Sequence, residues 1–169
     1  MTRHLQTPSE AARGVWVRVR KSEDGALTLK FCLEGDLSLL RIPQPGLPRR
    51  ADRLWQHTCF EAFVAEKGAL PYYEFNFAPS REWAAYRFSA YREAMSLLDL
   101  PCAPKIDVRI DRDRVELDAV IGLPLVESKL KLALTAVIED ENGKLSYWAL
   151  KHPPGKPNFH HQVAFALEL

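Results

Sequence analysis

Between Trp55 and Phe88 the chain reads WQHTCFEAFVAEKGALPYYEFNFAPSREWAAYRF, a run that threads acids, an amide and arginines through aromatic, strand-forming residues. Carboxylate, amide and guanidinium groups in such surroundings are costly unless they are paired, solvated or bound to something. Alternate residues of a strand share a face. Glu74 therefore sides with Asn76, Glu61 with His57, Cys59 and Phe63, and Trp83 with Ala85 and Arg87. If the three strands are neighbours, one sheet face presents Glu61, Glu74, Asn76, Trp83 and Arg87. Two chemistries fit such a face. One is a lattice of ion pairs on a solvated antiparallel sheet. The other is a sugar-binding surface, where aromatic rings stack on a pyranose and polar groups meet its hydroxyls.

Glu61 and Glu74 are also the residue types of a glycosidase acid and base, a role that requires a set separation across a cleft. The second unusual stretch, HPPGKPNFHHQ from His152 to Gln162, carries three prolines and a glycine and presents His152, Lys156, Asn158, His160 and His161. Near His57 and Glu61 it would offer nitrogen ligands to zinc or another divalent ion. Adjacent His160 and His161 do not have the i, i+4 spacing of a helical ligand pair, so hydrogen-bonding loop histidines are the default. The chain has no Gly-x-Ser-x-Gly elbow and no Gly-rich phosphate loop. Met95, at helical spacing with Tyr91 and Leu98, reads as a packing residue.

The elements that must position these groups are short and regularly spaced. Alternation runs through Val15 to Val19 and Leu27 to Leu33, and after Gly35-Asp36 the stretch Leu37 to Ile42 is expected to pair back as a strand. Pro43 to Arg53, with three prolines, reads as a loop. Strands are expected at Trp55 to Glu66, Tyr72 to Phe77, Trp83 to Phe88, Lys105 to Ile110, Arg114 to Ile121, Lys131 to Glu139, Leu145 to Lys151 and Val163 to Leu169. Tyr91 to Leu100 reads as a short helix ended by Pro101, and Pro124 to Lys129 as one helical turn. About ten strands without intervening helices predict an all-β antiparallel sandwich of jelly-roll type, with residues 1–169 as one domain.

With 169 residues, 47% hydrophobic and 27% charged, the chain has the make-up of a soluble globular protein, and its net charge of +1 gives no general attraction to nucleic acid or membrane. No apolar run approaches a membrane span. The first residues lack the apolar segment of a secretory signal, and Cys32, Cys59 and Cys102 do not have the spacing of a disulfide framework. A reducing, cytoplasmic setting is the expectation.

The segments LWQHTCFEAFV, YYEFNFAPSREWAAYRFSAYREAM and HPPGKPNFHH resemble the DOMON-like superfamily, in particular a bacterial branch related to the family-nine carbohydrate-binding modules. The resemblance runs from about Val15 to Leu169 and implies a jelly-roll sandwich of about ten strands. Relatives bind sugars or haem b, so the resemblance does not choose a ligand. In the sugar binders two aromatics and an acidic strand motif clamp a terminal sugar ring. Trp55 and Glu61 match the first aromatic and the acid by position; the second aromatic of those relatives lies near the C-terminus, where this chain offers Phe159, between Asn158 and His160, and no tryptophan. The haem binders use a methionine with a histidine or lysine, and here no methionine falls on an expected strand.

The resulting expectation is a non-catalytic module without a cofactor, whose partner is a small polar ligand, most plausibly a saccharide. Its site is Trp55, Glu61, Glu74, Asn76, Arg87 and Asn158 on one concave surface, with His57 and His160 at the rim. The alternatives are a haem- or metal-binding module, a metal-assisted enzyme using His57, Glu61 and the histidine loop, and a protein-interaction domain.

Overall fold

The computed structural model describes residues 1–123 and 129–169. The helical turn expected over 124–129 lies almost wholly outside them. Among the described residues there are thirteen strands: β1 (Thr2–Arg3), β2 (Ala12–Lys21), β3 (Leu27–Gly35), β4 (Arg49–Arg50), β5 (Cys59–Glu66), β6 (Tyr72–Phe77), β7 (Glu82–Phe88), β8 (Ser96–Leu97), β9 (Lys105–Ile110), β10 (Arg114–Ile121), β11 (Leu130–Glu139), β12 (Leu145–Ala149) and β13 (Leu167–Glu168). They form a β-sandwich. One sheet runs β1-β12-β11-β5-β6-β7-β4, with β13 on β11 and β8 on β7, and the other runs β2-β3-β10-β9. Only the two-residue β4 pairs in parallel.

The smaller sheet has one wet face and one dry one. Leu27, Leu29, Phe31 and Leu33 of β3 are fully buried, as are Val115, Leu117 and Ala119 of β10. The intervening residues carry an ion-pair lattice: Lys30–Glu116 at 3.0 Å, Arg109–Asp118 at 3.0 Å and Arg114–Glu34 at 2.6 Å. The larger sheet is dry on both faces. Its inner face sends Phe60, Ala62, Val64, Phe75, Phe77 and Leu134 against the smaller sheet, where Phe60 stacks on Phe31 at 5.1 Å. Its outer face is covered by the 54–57 turn and the loop after β12, which explains the burial of β5 from Cys59 to Val64 and of β11 from Leu132 to Glu139.

Four expected elements differ. Val163 to Leu169 is not a continuous strand: Gln162–Ala164 is a 3₁₀ turn capped by His161, and only Leu167–Glu168 pairs, as β13 on β11. Leu37 to Ile42 does not pair back on β3. Asp36 caps a 3₁₀ turn over Leu37–Leu39, its carboxylate accepting from the Ser38 amide at 3.1 Å, and β3 pairs instead with β10. Tyr91 to Leu100 is not a helix. Arg92 and Ala94 take φ values of 55° and 46°, a left-handed backbone that no α-helix tolerates, and the Arg92 amide donates to the Tyr72 hydroxyl at 3.2 Å. Tertiary contact overrides the local periodicity there. The strand expected from Trp55 begins only at Cys59, because Leu54–Gln56 is a 3₁₀ turn entered through Arg53 at φ 60°.

Candidate functional site

Pairing of the larger sheet sets out the floor of the site row by row. Glu61 lies directly between Thr135 on β11 and Asn76 on β6, with Ala84 next on β7. The adjoining row is Ala133, Phe63, Glu74 and Tyr86, and the one beyond it brings Ala65, Tyr72 and Phe88 together. All point to the outer face, because each row is two residues from the last. Small Ala133 and Ala149 beside bulky Phe63 and Tyr147 leave a depression. The 54–57 turn adds Trp55 as a wall, and the prolyl loop after β12 adds Lys156, Pro157, Phe159 and His160. The resulting cleft has a volume of about 610 Å³, within the range of small-molecule sites.

The polar groups at its base are buried: Glu61 is 2% exposed, Glu74 5% and Asn76 0%. The Thr135 hydroxyl donates to Glu61 Oε2 at 2.8 Å, and Asn76 Nδ2 donates to Glu74 Oε1 at 2.8 Å. Asn76 Oδ1 is buried with no partner among the described residues, which ordinarily costs about 1–3 kcal/mol. Burial pushes both carboxyls well above the usual carboxylate range; the charge of Glu74 adds to this at Glu61, while Thr135 opposes it there and Asn76 and Arg92 oppose it at Glu74. Burial, with Arg92 assisting, holds the His160 imidazolium pKa down to about 4.

His160 is locked by neighbours. Its Nδ1 lies 2.8 Å from the Tyr72 hydroxyl, whose oxygen already accepts from the Arg92 amide. Tyr72 therefore donates to Nδ1, and the neutral ring carries its proton on Nε2, which faces Glu74 Oε2 at 3.8 Å. With the ring uncharged this contact is not an ion pair.

The structure brings Trp55, Glu61, Glu74 and His160 to one cavity, with Asn76 in the floor beneath. His160 is part of the lining, backed by Phe63 at 5.0 Å and Phe88 at 5.1 Å, and not a rim residue. Asn158 stands just outside, where its amide donates to the Tyr91 hydroxyl at 2.7 Å and accepts from Arg92 at 3.4 Å; it braces Arg92. Three expected residues are elsewhere. Arg87 pairs with Tyr73 and so lies on the opposite face, exposed, because the β6–β7 register puts Ala84, Tyr86 and Phe88 on the side of the acids. Trp83 is likewise buried in the core, with Arg50 over its ring at 4.7 Å. His57 precedes the strand and lines a second hollow of about 880 Å³, its Nδ1 2.7 Å from Glu139, which Arg41 also holds at 3.0 Å.

The histidine loop divides its roles. His152 sits 2.9 Å from the Thr2 carbonyl and His161 accepts from the Val163 amide at 3.1 Å. Among the described residues no three His, Cys, Asp or Glu side chains converge so as to hold a metal ion. Met95 is 57% exposed and lines the mouth of the cavity, contrary to a packing role. Sequence reasoning passed over Thr135, Tyr147 and Arg92. Thr135 is a polar residue in the apolar run of β11 and could have been found; Tyr147 sits on an apolar face with Leu145 and Ala149, and Arg92 depends on the Tyr72 contact.

No protein-family model matches the chain. No curated protein is similar to it in sequence. Solved structures are similar in shape. A proposed carbohydrate-binding protein from Bacteroides uniformis superposes with TM-score 0.62 at 17% identity, over 89% of this chain and 75% of that one. A family 9 carbohydrate-binding module from Caldicellulosiruptor kristjanssonii, solved in complex with glucose, gives TM-score 0.57 at 12% identity, over 92% of this chain and 74% of that one. The likeness is one of fold. Among the described residues no helix is long and apolar enough to cross a membrane.

Proposed function

We propose that this protein is a non-catalytic saccharide-binding module of DOMON-like type, with its site in the cavity between Trp55 and the 152–161 loop. The observation that carries the reading is the buried polar floor of Glu61, Glu74 and Asn76 beneath aromatic walls. A pyranose has apolar faces for Trp55, Tyr147 and Phe159 and hydroxyls for the carboxyls and amide. The neighbours of this fold that carry carbohydrate-binding descriptions, one of them holding glucose, support it. Glu61 and Glu74 lie on adjacent strands of one floor, not on facing walls, so they act on one side of a ligand. Three unpaired cysteines suit a reducing, cytoplasmic setting.

Met95 and His160 share the cavity and are residue types of a haem axial pair. Against that reading, a porphyrin there would bring its apolar face over the buried Glu61 and Glu74. Isothermal titration with a panel of mono- and oligosaccharides tests the proposal. Binding in the micromolar to millimolar range, roughly 8 to 4 kcal/mol, is expected, weakened at least tenfold in Trp55→Ala. An absence of binding across the panel, or binding untouched by Trp55→Ala, contradicts it.

A further inference from the structure

We infer that the floor of this cavity is built for a primary ammonium group, so that the saccharide it takes is an amino sugar; the inference rests on the saccharide reading above. The count of donors and acceptors carries it. Thr135 occupies Glu61 Oε2 and Asn76 Nδ2 occupies Glu74 Oε1. Three oxygens remain: Glu61 Oε1 and Glu74 Oε2 of the two acids that line the cavity, and the orphaned Asn76 Oδ1 buried in the floor behind them, which a ligand reaches only if the floor gives way slightly. An ammonium has three donors and no acceptor, whereas a sugar hydroxyl has one donor. Among the described residues neither acid has a Lys or Arg within ion-pair distance, and the nearest base, His160 Nε2 at 3.8 Å from Glu74, is neutral near pH 7.

Two adjacent buried acids without a cation resist ionising together. An ammonium lying between them reverses this, and its arrival expels the proton that a neutral sugar would leave in place. The other charged or titratable groups facing the pair are Arg92 and Lys156 from the loops, Cys59, Tyr72 and Tyr86 on β5, β6 and β7, and Tyr147 on β12. Arg92 and Lys156 line the cavity from its loops and oppose a cation, so they limit the gain. A metal ion is a poorer fit, since hard cations such as calcium take six to eight oxygens.

The test compares D-glucose, D-glucosamine and N-acetyl-D-glucosamine, and the galactose counterparts, by calorimetry at pH 7 in two buffers of different ionisation enthalpy. At least one amine is expected to bind tenfold or more tightly than both its parent hexose and its N-acetyl form. About one proton should be released on binding; Glu61→Gln or Glu74→Gln should reduce that release, and the two together should abolish it. The wild-type buffer comparison stands even if a variant does not fold. Parent hexoses binding as tightly as the amines overturns the inference and leaves the saccharide reading intact. An amine preference without proton release places the ammonium elsewhere and also overturns it. Binding by none of the six sugars overturns the inference, and the saccharide reading then stands or falls on the wider panel.

Discussion

Glu61→Gln is expected to make the protein more heat-stable above neutral pH. Burial, and at Glu61 the neighbouring charge of Glu74, raise both carboxyls in the folded chain, while an unfolded glutamate titrates near 4.3. Between these values the folded state keeps protons that the unfolded chain has released. The stability linked to the pair is therefore complete below about 4.3 and is lost as pH rises through the raised folded values. His160 has the opposite sign. Depressed to about 4 in the fold, against about 6.5 unfolded, it contributes stability present above 6.5 and lost on acidification. The two effects oppose each other below about pH 6.5; above it the carboxyls act, opposed by the Met1 amino group, whose pKa burial lowers from its ordinary value. The expected slope there is a loss of about 1.4 kcal/mol per pH unit for each proton retained only by the fold. Scanning calorimetry from pH 6.5 to 8.5 should show a falling transition temperature for the wild type, a shallower fall for Glu61→Gln and a nearly flat profile for Glu61→Gln with Glu74→Gln. A wild-type transition that stays level or rises across this window, with the double variant no different, contradicts the assignment.

Phe63→Ala is expected to cost about 3–5 kcal/mol, the usual range for a buried ring removed from a packed interior. The ring is 1% exposed and lies on the outer face of the larger sheet, where it meets His160 at 5.0 Å, Tyr72 at 6.4 Å and Phe165 at 6.4 Å. It is the platform on which the loop after β12 rests. Its removal should therefore also loosen that loop, with faster proteolysis between Lys151 and Lys156 and loss of saccharide binding even below the melting temperature. Phe63→Leu keeps most of the apolar volume and should lose less stability. Denaturant unfolding gives the first quantity and limited trypsin digestion the second. A Phe63→Ala protein as stable and as protease-resistant as the wild type contradicts this packing account.

The alternation of Glu74 and Asn76 against Phe75 and Phe77 is enough to place two polar side chains opposite the core, and the structure has them there. Alternation within a strand does not supply the register between strands. Arg87 is on the far face for that reason: its parity within β7 is plain, but only the β6–β7 pairing says which parity joins the acids. Nor does the local pattern tell a wet face from one covered by distant chain. The ion-pair lattice anticipated for the acids exists, but it lies on the smaller sheet around Lys30, Glu116 and Asp118. The face with Glu61 and Glu74 is sealed by a turn and a loop that are remote in sequence. Arg92 and His57 reflect non-local control of another kind: a Tyr72 hydroxyl holds one in a loop, and a left-handed Arg53 starts a turn before the other.

We propose that a saccharide binds in the cavity bounded by Trp55, Glu61, Glu74, Phe159 and His160. A crystal structure with the tightest-binding sugar of the panel tests it most directly. The account predicts a pyranose against Trp55, with hydroxyl or amine hydrogens directed at Glu61, Glu74 and Asn76 Oδ1. Sugar density on the outer face of β2-β3-β10-β9, or in the hollow beside His57 and Glu139, with this cavity empty, would contradict it.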